Sequence, residues 1–352
     1  MVNKKMNIGN HNSAFQNQET GELHAQNILE NRLKDFLPID TNTEIDASYV
    51  TCAEYQLFID EELKFRRFRQ PDHWKTAEIP AGSESQPIKG VRVQDADAFC
   101  RWLSRKEPLI QRLPAEVKYQ YRLPKEQEII NYPISINSIG CWGMSGNKSR
   151  IIGLEKSYLE TWQSQLADII VREIGADLTR DYDLPLHLGD RDQARDSALE
   201  RVRNRNKSTP HVLRLYERSP DLERLYDFDL DDLRQSSNKL EKSLRREHKF
   251  SPELSMYIKL VHDLDDALRR ADTIELIRSY LLCIHIIWDL ALTILRDKDL
   301  STQKHERTKE QYENKVNESF QLYALVVLID SRRSGQMPAW ESIRIVREKI
   351  ST

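Results

Sequence analysis

The apolar positions of this 352-residue chain change their period near its middle. Beyond about Gly153 they recur every three to four residues, as in Leu154, Tyr158, Trp162, Leu166, Ile169, Ile170 and Ile174, the stripe of an amphipathic helix. Further helices are predicted over Asp221–His248, Pro252–Arg270, Ala271–Arg296 and Lys304–Arg333. Pro252 suits a first helical turn, where its missing N–H is not needed. In the last helix Tyr312, Val316, Phe320, Tyr323 and Val327 keep helical spacing. Before Gly153, short apolar runs alternate with Pro71-Asp72, Pro80-Ala81-Gly82-Ser83 and Lys89-Gly90, which mark loops and short strands. One clear helix interrupts that texture, with Ala96, Phe99, Cys100 and Leu103 on one face. It is followed by Tyr121-Arg122-Leu123-Pro124, where the proline drives Leu123 out of the helical region.

The expected fold is therefore α+β followed by an all-α bundle. A polar segment covers 1–40, with a helix from His24 to Phe36 and too few apolar residues in its first twenty to pack. A loop-rich α+β domain spans 41–150 and an all-α interaction domain spans 151–352. Ser279–Leu295 is almost long enough to cross a bilayer, but His285 and Asp289 sit one turn apart in its middle. It reads as the core helix of the bundle, and no membrane association is expected. The mixed charges of Asp177–Ser208 read as a solvated connector.

Charge narrows the field. Charged residues make up 31% of the chain, yet the net charge is only −3, which argues against a nucleic-acid backbone as the main partner. Arg201-x-Arg203-x-Arg205-x-Lys207 and Arg245-Arg246 are ordinary solvated stretches, and nucleic acid is expected only through a larger complex. The four cysteines are widely spaced without a C-x-x-C pair, and the polar N-terminus carries no readable signal peptide. A reducing cytoplasm is the expected location.

Several motifs of the first half agree in order and spacing over about eighty residues. They are Val50-Thr51-Cys52-Ala53-Glu54-Tyr55 with Phe58, His73-Trp74, Pro87-Ile88-x-Gly90-Val91, Asp95-Ala96, Phe99-Cys100-x-Trp102-Leu103-Ser104 and Arg122-Leu123-Pro124-x-Glu126-x-Glu128. In these the chain resembles the formylglycine-generating-enzyme/sulfatase-modifying domain, a variant of the C-type lectin fold. The resemblance implies a copper-binding cysteine pair late in the domain, and none of the four cysteines here aligns with it. Ile129 and Ile130 stand where a Trp-Glu pair is expected, and Gly140-Cys141-Trp142-Gly143-Met144-Ser145-Gly146-Asn147 is a compressed echo of a later family segment. The domain therefore reads as degenerate and truncated, with Trp74, Trp102, Arg122, Glu126, Glu128 and Trp142 as its scaffold and binding residues. The closing stretch Pro338-Ala339-Trp340-Glu341-Ser342-Ile343-Arg344-Ile345-Val346-Arg347-Glu348 resembles the end of helical regions attached to bacterial NACHT-type signalling ATPases of the STAND class.

Three chemical readings bear on the sequence. Gly140–Ser149 has the setting of a phosphate loop, but Asn147 separates its glycine from Lys148-Ser149. Arg278 and His285 lie seven apart on one helix face and fit the Arg-x4–6-His spacing of metal-independent HEPN ribonucleases, with His as acid/base and Arg on the phosphorane charge. A residual formylglycine-enzyme-like oxidase is the other enzymatic alternative. The leading expectation is a pseudoenzyme: a recognition or adaptor protein of a bacterial antiviral defence or signalling system, with no cofactor and no metal. Its partners would be proteins, such as a STAND-type ATPase or an effector complex.

Overall fold

The chain leaves its first unit after Glu155 and returns to it at Ala339. The computed structural model describes residues 27–110, 117–136, 138–179, 235–242, 252–268, 273–296 and 303–351. The expectations for the first twenty residues, for most of Asp177–Ser208, for Arg201–Lys207 and for Arg245-Arg246 lie outside the described residues.

The elements of the first unit run β1 (Phe36–Pro38), β2 (Thr43–Asp46), α1 (Cys52–Lys64), α2 (Val93–Ile110), β3 (Val117–Arg122), α3 (Glu126–Asn131), β4 (Gly140–Ser145) and β5 (Lys148–Ile152). The second unit, Lys156–Pro338, carries α4 (Lys156–Thr179), α5 (Pro252–Leu268), α6 (Ile274–Arg296) and α7 (Gln303–Arg333), with a helical turn pair at 235–242. The chain then closes with β6 (Glu341–Ser342) and β7 (Val346–Ser351). The protein is thus mixed α+β.

Helix α1 starts where Thr51 and Glu54 cap each other: Glu54 N–H donates to Thr51 Oγ1 (3.3 Å) and Thr51 N–H to Glu54 Oε2 (2.6 Å). It buries Cys52, Tyr55, Phe58 and Ile59, and α2 buries Ala96, Phe99, Cys100 and Leu103, the face its spacing predicts. Between them Tyr55, Phe58, Phe99 and Trp102 stack with ring centroids 5.4–5.8 Å apart.

The main sheet runs β1-β2-β7-β3, all antiparallel, and a smaller one runs β5-β4-β6. The last strand of the chain is therefore central, with Val346 opposite both Ile45 of β2 and Arg122 of β3. This corrects two expectations. Residues 151–352 are not all-α, because Glu341–Ser342 and Val346–Ser351 are strands, and the first domain is interrupted by the helices rather than cut short at 150. The physical cause is burial: Ala339–Val346 are buried without a break. A helix presents one face at a time, whereas a segment of two short strands and the stretch between them, enclosed on both faces, accepts such a run.

Gly140–Ser149 is a hairpin rather than a phosphate loop, with Ser145 opposite Lys148 and Gly146 in the left-handed turn position (φ 60°). In the second unit α6 is buried from Arg278 through Leu292. Its length and apolarity pass the test for a membrane span, and 83% of that window is covered by the rest of the protein.

Candidate functional site

The Arg-Leu-Pro step gathers most of the motif residues. Arg122 reaches Glu128 with both ends of its fork, Nη1 to Oε2 (2.8 Å) and Nη2 to Oε1 (2.7 Å). Its Nε donates to Glu348 Oε1 (2.7 Å) on the returning strand, across 226 residues of sequence. A planar guanidinium matches two carboxylates in this way without rearrangement. Glu128 also accepts from the Lys125 N–H (2.6 Å), closing the first turn of α3. Burial works against its charge, but Arg122 and the Lys125 N–H prevail and hold its carboxyl below the usual range. Glu126 accepts from the Ser145 hydroxyl, and Met144 N–H donates to Pro124 O (2.8 Å), so β4 lies against the same step. Gly143 allows that approach: a Cβ there would lie 3.0 Å from Pro124 O and 2.7 Å from Ile129 Cδ1.

The tryptophans are structural too. Trp142 is buried and its Nε1–H donates to Val91 O (2.7 Å), tying β4 to the start of α2. Trp74 and Trp102 lie in the same apolar core.

A second cluster escaped sequence reasoning. Asp46, at the end of β2, is fully buried and accepts from Arg32 Nη2 and from the Ile345 N–H (3.0 Å). Arg32 also donates to Tyr49 O and Ser48 Oγ (3.1 Å each). Arg344 donates through Nε to Asp46 O (2.8 Å) and through Nη1 to Tyr132 O. Burial pushes the Asp46 carboxyl up, to about 7, against the pull of Arg32. The only signal in the sequence was Arg344 itself, a charge between Ile343 and Ile345.

In the helical unit the structure separates Arg278 from His285. Arg278, 2% exposed, donates from Nη1 to Asp330 Oδ2 (2.6 Å) and from Nη2 to Glu173 Oε2 (2.6 Å) and Asp177 Oδ1 (2.7 Å). Its Nε donates to Asp177 Oδ2 (3.1 Å), so four of the five guanidinium N–H groups are taken. Tyr323 OH adds a bond to Asp177 (3.0 Å). His285 Nδ1 lies 3.1 Å from Val316 O and 3.5 Å from Ser319 Oγ, and its ring packs on Phe320 at 5.1 Å. Arg278 thus joins α6 to α4 and α7, while His285 is held within the α6–α7 contact.

Residues 40–132, about a quarter of the chain, match the family model of the sulfatase-modifying factor enzyme 1-like domain, the formylglycine-generating-enzyme/sulfatase family. No curated protein and no solved structure matches the chain. The match spans β2 to the end of α3 and includes Arg122 and Glu128, but neither hairpin strand nor β7. A copper site of that family needs two converging thiolates. The thiols here do not fit it, because each lies among apolar side chains that disfavour a thiolate, Cys52 and Cys100 in one cluster and Cys141 in another. All three are buried, which pushes Cys52 up to about 11, Cys141 up to about 12 and Cys100 well above its usual value. Cys283 is buried in α6.

Proposed function

We propose that the protein is a recognition or adaptor component of a bacterial defence or signalling assembly, in which a formylglycine-enzyme-like domain has become a non-catalytic scaffold. The observation that carries this reading is how the motif side chains are employed. Arg122, Glu128 and Trp142 each spend their polar groups on internal partners, the exposed Glu126 bonds Ser145, and Trp74 and Trp102 are core. The buried, neutral thiols point the same way. The partners are proteins of the cytoplasm, and the resemblance of the closing stretch to NACHT-associated regions makes a STAND-type ATPase the first candidate.

The test is purification of the tagged full chain from its native host, followed by sizing with light scattering. A stoichiometric complex with another protein is expected. A monomer without any protein partner sinks the reading. Copper bound by the purified chain, with oxygen consumed on a cysteine-containing peptide, would restore the oxidase alternative.

A further inference from the structure

Helix α1 ends in a turn that is held firmly and left uncovered. Phe65 and Arg67 N–H groups donate to Glu62 O (2.9 and 3.1 Å) and Arg66 N–H to Leu63 O (2.9 Å). This is the Schellman closure, whose left-handed position favours glycine. Arg66 occupies that position at φ 58°, the only non-glycine residue with positive φ among the described residues. Beyond it Arg69 is anchored by Asp95 (2.7 Å) and Glu62 (3.4 Å), and its carbonyl accepts from Tyr55 OH (2.9 Å). Between these anchors Lys64–Phe68 are all exposed. Phe65 and Phe68, each 65% exposed, are the most exposed large apolar side chains among the described residues.

Two rings displayed on a preorganised turn, with a strained arginine between them, match the makeup of an interface anchor: aromatic and Arg side chains carried on backbone whose ordering entropy is already spent. Charge selects the kind of partner. Arg67 pairs with Glu62 (3.5 Å) and Arg69 with Asp95, which leaves Arg66 and, beside Glu61, Lys64 to attract an anion, and Asp60 is exposed one turn before Lys64. Two cations contribute only about fivefold each at an anionic surface, whereas each phenylalanine buried in a pocket is worth roughly ten- to a hundredfold. A phosphate backbone or lipid surface would gain little here, and an apolar pocket would gain most.

We propose that the Lys64–Phe68 turn is a docking knob that inserts Phe65 and Phe68 into an apolar pocket of a protein partner, with a carboxylate at the rim facing Arg66. This rests on the adaptor reading to the extent that both need a protein partner. The test places the photo-cross-linker p-benzoylphenylalanine at Phe65 or Phe68 of the full chain in its host and maps the adduct. The affinity of the mapped protein, made recombinantly, is then measured for the wild type, for Phe65→Ala with Phe68→Ala, and for Arg66→Gly. The double variant is expected to lose at least about a hundredfold. Arg66→Gly is expected to lose about fivefold while its melting temperature holds or rises, because glycine is at ease at this φ. Adducts to RNA, to lipid or to nothing overturn the knob. So does equal affinity for all variants, and in that case the adaptor reading survives, because a partner binds elsewhere. If the native-host purification also yields no partner, the adaptor reading falls with it.

Discussion

Ending the chain at Pro338 should unfold the first unit and spare the helices. The deletion removes the strand between β2 and β3 and takes away Trp340, Ile343, Ile345 and Val346, all buried. At about 1.5–3 kcal/mol for each large apolar side chain, their transfer alone amounts to about 6–12 kcal/mol. That is comparable to the whole stability of an ordinary domain, about 5–15 kcal/mol. The loss reaches beyond side chains, because both inner edges of the sheet open and Asp46 loses the Ile345 N–H. Hydrogen exchange read by mass spectrometry separates the units. Amides of Thr43–Asp46 and Val117–Arg122 should exchange as in an unfolded chain, while those of Ile274–Arg296 stay protected. A synthetic peptide of residues 339–352 added in trans should restore part of the lost protection, and Ile345→Ala in the full chain should cost about 2–5 kcal/mol. Unchanged protection of β2 and β3 in the shortened chain would refute the reasoning.

Three further outcomes are expected. Arg278→Met strands the buried Asp177 carboxylate and should cost about 3–5 kcal/mol by denaturant unfolding; adding Asp177→Leu should recover much of it, whereas loss of an RNA-cleaving activity at unchanged stability would place Arg278 in chemistry instead. Because Glu128 has a depressed folded pKa, the clasp stabilises above the unfolded value of about 4.3 and weakens as pH falls through the folded value. Glu128→Gln should therefore lower the unfolding midpoint at pH 7 and flatten its decline in acid, as read by denaturant titrations across pH 2–7. Gly90 has φ 72°, and a Cβ on it would lie 2.6 Å from the His73 ring, while Gly82 at φ 79° faces open space. Both alanine variants carry the left-handed penalty of about 1–2 kcal/mol, so thermal unfolding should show the larger loss for Gly90→Ala.

What was legible in the sequence is what the chain decides locally. Ala96, Phe99, Cys100 and Leu103 declare their face within two turns, and Arg122 finds Glu128 six residues on. The third member of the clasp, Glu348, lies 226 residues away, and Asp46 meets Arg344 and Ile345 across 298 and 299. No periodicity links such positions, so the closing stretch looked like the tail of the helices before it. The partners of Arg278 and His285 were hidden for a related reason. Seven residues of helix bring two side chains to one face, but the carboxylates that claim Arg278 come from α4 and α7, which local spacing does not encode.

The insertion also fixes an order of events. Strands β2 and β3 lie within residues 40–132, yet they do not touch each other; β7 stands between them. The sheet therefore cannot close until β7 has been made, and that strand pairs with β2 across about 300 residues of sequence. Closing a loop of about 300 residues costs only slowly growing entropy, but non-local pairing delays folding. Until then the faces of β2 and β3 that β7 covers are open, and Ile45 and Tyr121 are without their final neighbours. The helical segments, whose contacts are formed within one continuous stretch of chain, have no such requirement. A ribosome-bound chain held on a C-terminal linker with residue 338 just clear of the exit tunnel is accordingly expected to protect α6 and α7 from protease while β2 and β3 are cleaved, and emergence of residues 339–352 should make the first unit resistant. Protection of β2 and β3 before residue 339 emerges would mean that the sheet closes by another pairing, and that the returning strand displaces it.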